Sequence, residues 1–572
     1  MQGVEPVERE LWDAAQVVGH LVAAGSMFGF LAAHRADVFP DEDYADLFSA
    51  IGRPSLPATR MAAVLTLQAL HSLSDRECAE AVRCDLRWKV ACGLSLLDEG
   101  FDPSSLVYWR RRLANSDRPH RINDAVRQVI EATGVPAGRR RRAVDSTILD
   151  DAVATQDTIT QLISAIRRVG REVPGAGAVI VAVCTGHDYS SSGKPRIDWA
   201  DPGSRDALVS ALVDDANAVI VGFADAELEE QAASALALLA LVAGQDVEPA
   251  EGSDGRDGRW RIARRVAPDR VISTVDPQAR HTRKSPRNRK DGYRAHMVAE
   301  PETGLITDEA LTMAAGPENS DAAVAQQFLT PSELAGQVPA EQVLAGQVPA
   351  EQVHTASQDV PIAAGRDAPA ACGDVACGDV AGPGRGRSFA WYGDSAYGTG
   401  ELRGVIERAG DDAVIKPKPV TAAVPGGFTV DDFTVDEQAQ TVTCPAGQTR
   451  PISPRRTVTF GALCRDCPLR ARCTTAKTGR SMDLHERDDL LRAARADWAA
   501  DPDLRADYRR YRPNIERTVA QVATQGGWRI KLRYRGTSKN HAWLKRRTAA
   551  LNLRNLAGRG LSRNAGTWVL AT

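Results

Sequence analysis

The spacing of apolar residues changes period several times along the chain, and each change predicts a different element. From Asp41 to Leu113 apolar positions recur every three or four residues, as in helices packed on one another. Asp41 is placed to cap a first helix and Pro57 to open a second. LQALHSLSDRECAEAV continues the pattern, and SSLVYWRRRL, Ser104 to Leu113, ends it as a helix capped by its own serine. The short apolar run in RRRRAVDSTIL then predicts a strand through Asp145. Helical spacing returns at Ile159, Leu162, Ile163 and Ile166, and again in SRDALVSALVDDANAV and ELEEQAASALALLALVAG. Alternation takes over in GYRAHMVAEPETGLITDEAL, two strands about a turn from Pro301 to Gly304. A further apolar run, Phe389 to Tyr392, reads as a buried strand that delivers Asp394 onto the turn Gly393 to Gly398. The helix GELRGVIERAG, the strand DAVIKPKPV and the basic helical stretch YRRYRPNIERTVAQV follow. Last, Ile530, Leu532 and Tyr534 alternate with Arg529, Lys531, Arg533 and Arg535, the pattern of an extended edge with one packed side and one cationic side.

With 572 residues the chain is too long for one ordinary core, so two or three modules are expected, one of them interrupted. Between 335 and 386 the patterning stops. LAGQVPAEQV occurs at Leu334–Val343 and again at Leu344–Val353, and CGDVA repeats from Cys372 and from Cys377. Two units of ten residues cannot bury a core, which makes this stretch a low-complexity surface insertion. The formal net charge of −3 conceals an asymmetry. Residues 1–50 carry two Arg against nine acids, while residues 501–572 carry sixteen Lys and Arg against four. Arg280 to Arg294 adds seven bases against one acid. Basic stretches beside acidic candidates suit a polyanionic substrate; the alternative for each is a solvated face. The candidates for phosphate contact are Arg110, Arg111, Arg112, Lys284, Arg287, Arg289, Lys290, Arg512, Arg529, Lys531, Arg533 and Arg535. Glu5, Glu8 and Glu10 stand where a signal peptide needs positive charge, and no apolar run is long enough to span a bilayer. A soluble, cytoplasmic protein is expected.

Three acids stand out for chemistry: Asp145 on a strand, Asp394 at a strand end and Glu516 in the basic helix. Each also has an ordinary reading. Asp145 could cap the turn at Ser146, Asp394 could satisfy a tight turn, and Glu516 could pair with Arg512 one helical turn away. Of ten cysteines, six are scattered and four, Cys444, Cys464, Cys467 and Cys473, have metal-like spacing. Cys464 and Cys467 form a C-x2-C knuckle, and thiolates so spaced can converge on one tetrahedral zinc. Reduced cysteines buried in a small β module are the alternative.

The order Asp145, Asp394, Glu516, together with RPSLP…LQALHSLSDREC…FDPSSLVYWRRRL at the N-terminal side, resembles the DDE transposases of bacterial insertion sequences over nearly the whole chain. The resemblance implies an α/β fold: a ribonuclease H-like catalytic domain with a mixed five-stranded sheet and flanking helices, interrupted by insertions and preceded by an all-helical domain. It implies a helical DNA-binding and assembly domain at 1–135 and a first catalytic part at 139–334 with a helical insertion at about 151–265. The low-complexity insertion at 335–386, a second catalytic part at 387–420, a Cys-rich insertion at 421–500 and a C-terminal helix with basic tail at 501–572 complete it. It further implies two magnesium or manganese ions held by Asp145, Asp394 and Glu516, a structural zinc, and DNA as partner, both terminal inverted repeats and target. Pairing of two protomers on that DNA and association with the nucleoid are implied too. The family's C-terminal signature is only partly kept: Arg512 and Glu516 fit, but Arg509 stands at the tyrosine position and Ala523 at the final basic one. A catalytically impaired copy that retains DNA binding, or a nuclease of the same fold without strand transfer, are the rivals.

Overall fold

The computed structural model describes residues 1–5, 11–264, 267, 269–285, 288–329 and 388–571. The repeated segment 335–386, with Cys372 and Cys377, lies outside the described residues, as do Arg287 and the Lys284 side chain.

At the centre is a mixed sheet of six strands: β1 (Arg141–Asp150), β2 (Arg280–Ser285), β3 (Asn288–Glu300), β4 (Leu305–Met313), β5 (Ala390–Gly393) and β6 (Asp412–Ile415). The order is β2-β3-β1-β5-β6, with β4 also paired to β3. β3 runs antiparallel to β1, β2 and β4, whereas β5 lies parallel to β1 and β6 parallel to β5. The predicted hairpin is β3–β4. Its turn is held by the Glu300 carboxylate, which accepts from the Thr303 amide at 2.8 Å and the Thr303 hydroxyl at 2.6 Å.

The strand alternation of β1 sends its two faces to two different cores. Val144 joins Trp391, Tyr397 and Ile415 beneath the helices Asp321–Leu329 and Gly400–Arg408. Ala143 and Leu149 join the largest core, which is shared with the helices Pro502–Ala523 and Thr537–Gly558 and with the N-terminal helices. The all-helical N-terminal region, with helices including Met27–Val38, Ala58–His71, Ser104–Ala114 and Arg121–Ala132, is thus packed into the same core as the sheet.

Two caps differ from expectation. Asp41 opens a short 3-10 turn, and its carboxylate accepts from the Thr59 amide at 3.1 Å, closing the start of the helix Ala58–His71, whose own N-cap Pro57 has no side-chain donor or acceptor to offer. The helix Ser104–Ala114 is capped not by its serine but by Asp102, which accepts from the Ser104 amide at 2.8 Å. Between Asp150 and Val271 the helices Thr158–Glu172, Ala176–Val183, Pro202–Gly222 and Glu230–Gln245 form a module with its own core. The Cys-rich stretch forms another, built of short strands about Phe433, Val442, Val458 and Phe460.

Candidate active site

Three elements bring the acids together. The parallel register of β1 and β5 ends at Ala143↔Tyr392, so two residues further along each strand Asp145 and Asp394 stand side by side. Asp394 has by then left the sheet, and its carboxylate accepts from the Ala396 amide at 2.8 Å. A Cβ at Gly393 would lie 3.0 Å from the Tyr397 Cβ and 3.1 Å from its ring, so a larger residue there would crowd Tyr397 where it folds back over the strand end. Glu516 comes from the helix Pro502–Ala523 across the sheet face.

The acids meet on Arg512. Its guanidinium lies 3.0 Å from Asp145 Oδ2, 4.0 Å from Asp394 Oδ2 and 3.3 Å from Glu516 Oε1. The arginine is 3% exposed, whereas the Glu516 side chain is 65% exposed, so the cluster is closed beneath and open above. Arg512 was expected among the phosphate-contacting cations; here it is turned inward as the counter-charge of three carboxylates. Burial pushes the Asp145 carboxyl above the usual range against the opposing pull of Arg512, and Asp394 adds to the rise. The ordinary roles foreseen for each acid are all present as well. The Ser146 amide donates to Asp145 Oδ1 at 2.9 Å, Asp394 serves its turn, and Glu516 pairs with Arg512.

Several neighbours were given no role at the site by sequence reasoning. Tyr397 is buried at 1%, its hydroxyl has no hydrogen-bond partner among the described residues, and burial raises its pKa well above the ordinary range. Tyr508, one turn before Arg512, is partly buried beside the same charges. On the opposite face of β1, Asp321 accepts from the Ser146 hydroxyl at 2.6 Å and pairs with Arg294 at 3.0 Å. His296 lies 3.7 Å from Asp321 and is pushed down to about 4, chiefly by burial. Tyr397, three residues after Asp394, and Tyr508, next to the tyrosine position held by Arg509, had sequence positions that could have drawn attention.

The remaining cations divide by partner. Arg110 is bound to Asp75 at 2.6 Å, Arg529 to Asp150 at 3.0 Å and Arg533 to Glu77 at 3.4 Å. Arg112 stacks on Phe48, and Arg111 and Arg289 are exposed; Lys290 is partly buried. Lys531 and Arg535 are exposed and form no ion pair among the described residues. The expected alternation holds from Arg529 to Arg535, with Ile530 and Leu532 buried; beyond it the chain is helical from Thr537 to Gly558.

Cys444, Cys464, Cys467 and Cys473 all line one cavity of about 20 Å³, space for a single small occupant. The Arg480 amide donates to Cys464 Sγ at 3.4 Å. The cysteines surround this space without closing on one point: among the described residues no group of three or more His, Cys, Asp or Glu is arranged at metal-binding distances. The same holds for the three acids, between which Arg512 intervenes. No helix among the described residues is long and apolar enough to cross a membrane.

Two family models match the chain. One, described as "Transposase domain (DUF772)", covers residues 30–112, the N-terminal helices. The other, described as "Transposase DDE domain", covers residues 443–557, from the Cys-rich module through Glu516 to the helix Thr537–Gly558. No curated protein and no solved structure matches.

Proposed function

We propose, from the matches to a transposase domain and a transposase DDE domain, that the protein is the DDE transposase of a bacterial insertion sequence. On this reading it binds the terminal inverted repeats of its element, cleaves a strand at each end and joins the freed 3′ end to target DNA. The observation that carries the reading is the meeting of Asp145, Asp394 and Glu516, remote in sequence, on one buried guanidinium. A ribonuclease H-like fold is supported by the strand order, three antiparallel strands followed by two parallel ones, with the acids at the strand ends.

The acids offer oxygen ligands only, a set that suits magnesium or manganese. Bound there, two such ions would activate the attacking oxygen and stabilise the leaving one. Asp145 and Asp394 form the fixed part of that ligand set, since both sit on or next to packed strands. Glu516, on the exposed side, completes it. Arg512 keeps three like charges within reach of one another while no other cation does so, and must yield some of those contacts when one arrives.

Phosphate contact falls to Arg111, Arg289, Lys531 and Arg535, whose side chains are exposed. The four cysteines around one cavity support a structural zinc, which would draw the thiols inward. Two protomers, one per transposon end, and a location at the nucleoid follow from the same reading. The deciding experiment incubates the protein with magnesium and a supercoiled plasmid bearing the element's two flanking repeats. End cleavage with joined products is expected. Cleavage without joining would make the protein a nuclease, and binding without cleavage an impaired copy.

A further inference from the structure

Directly after the helix that carries Glu516, the chain makes a two-stranded hairpin, Thr524–Gln525 paired with Trp528–Arg529. Gly526 and Gly527 form its turn with φ of +57° and +84°, left-handed values that glycine adopts at no steric cost. The hairpin is anchored. Arg529 binds the Asp150 carboxylate through two nitrogens, at 3.0 and 3.2 Å, and the Leu532 amide donates to Asp150 O at 2.7 Å. Yet the indole it presents, Trp528, is 81% exposed. The ring is thus held out into water at a defined place beside the free edge of β1.

The surroundings of the ring indicate what would cover it. Trp528 stands at the rim of an open cleft of about 560 Å³, walled by Gln525, Lys531 and Arg533 and closed at its far side by Ser72 from the N-terminal helices. An apolar protein surface docking here would have to desolvate the exposed Lys531 as well as Arg529 and Arg533, which are paired to Asp150 and Glu77. An unpaired nucleotide would not: its phosphates match the cations, and its base offers a flat face to the indole. The position also fits the cluster of acids. Asp150 and Asp145 are five residues apart on β1, about 17 Å at the rise of a strand. Beyond Asp394 the edge of β1 left free by β5 is taken up by Arg529, which donates to Ile148 O, and by Lys531, bridged to Asp150. A DNA strand following that edge from the acids reaches Trp528 after about five nucleotides, at roughly 3.4 Å per nucleotide.

We propose that Trp528 is a stacking platform for an unpaired nucleotide of the DNA held at the acid cluster, with Lys531 on its phosphate. The proposal rests on the DNA-processing reading given above and deepens it. It is tested by titrating the full-length protein with two repeat-end duplexes, one blunt and one with a short single-stranded tail carrying a fluorescent base analogue. The tailed duplex should bind about tenfold more tightly, with quenching of the analogue. In Trp528→Ala the two affinities should converge and the quenching should disappear; Trp528→Phe should restore most of both. A tail preference and quenching unaltered in Trp528→Ala would overturn the platform alone, whereas failure of the wild-type protein to bind either duplex would overturn the DNA reading with it.

Discussion

Removing the Arg512 guanidinium would leave Asp145, Asp394 and Glu516 facing one another with no counter-charge, two of them held close by strand register. Arg512→Met should therefore destabilise the protein at neutral pH, by about 3 kcal/mol if the cost resembles that of other broken buried pairs. The pH dependence has a definite sign. The folded-state pKa of Asp145 is raised, so this residue favours the fold below the ordinary carboxylate range, and that contribution is lost as pH rises through the raised value. Asp145→Asn should accordingly gain stability relative to wild type at neutral pH, and the Arg512→Met defect should shrink on acidification. Urea unfolding of the three proteins between mildly acidic and neutral pH measures both, and a pH-independent defect would mean that charge is not its cause. For chemistry, Asp145→Ala or Asp394→Ala should abolish strand cleavage while duplex affinity stays within about twofold, since phosphate contact lies with other residues. A variant that still cleaves would remove its acid from the site.

Among the elements, the helix Thr537–Gly558 shows how burial can defeat sequence patterning. It packs between Ala58–His71 and β4, and Asn540, Arg546, Arg547, Thr548 and Asn552 are buried along it, so no single apolar stripe announces it. Its polar residues serve backbone. Arg547 donates to the carbonyls of Ala69, Leu70, Gln521 and Thr524, satisfying the open ends of two helices, and Asn552 bonds both polar groups of Ile306 at 2.9 and 2.8 Å. Arg547→Met should cost about 3 kcal/mol or more through orphaned carbonyls, read as a lower urea midpoint. A shift within error would show that water replaces the guanidinium. The Cys-rich module makes a separate prediction. Freshly reduced protein should contain about one zinc per chain, lost in Cys464→Ser together with local order. Metal analysis that finds none would leave the cavity among the four thiols as simple packing.

For the whole molecule the charge asymmetry counts more than the net value. Acids already neutralise Arg110, Arg529 and Arg533, so the free cationic face near the site is carried by Lys531 and Arg535. Lys531→Ala combined with Arg535→Ala should lower the slope of log affinity against log salt by about 1.8, near 0.9 for each lost phosphate contact, and should weaken repeat and unrelated duplexes alike. A slope unchanged on both would place the DNA elsewhere. Loss restricted to the repeat would mean that these residues read bases.

The sequence by itself determined the elements with a clean period: the β3–β4 hairpin, the strands that bear Asp145 and deliver Asp394, the helices of the 158–245 module and the alternation at 529–535. Local sterics and burial act within a few residues there, so they are legible one segment at a time. It also singled out the three acids and the four cysteines, because rare chemistry at fixed spacing survives without a structure. What only the tertiary structure decided depends on residues far apart in the chain. It turned Arg512 inward, set Asp321 on the opposite face of β1 and Tyr397 beside the acids, took Arg529 and Arg533 into ion pairs with Asp150 and Glu77, and recruited Asp41 to cap a helix that begins seventeen residues later. Whether a charged side chain faces water or a partner is set by what the fold brings opposite it, and composition carries no record of that choice.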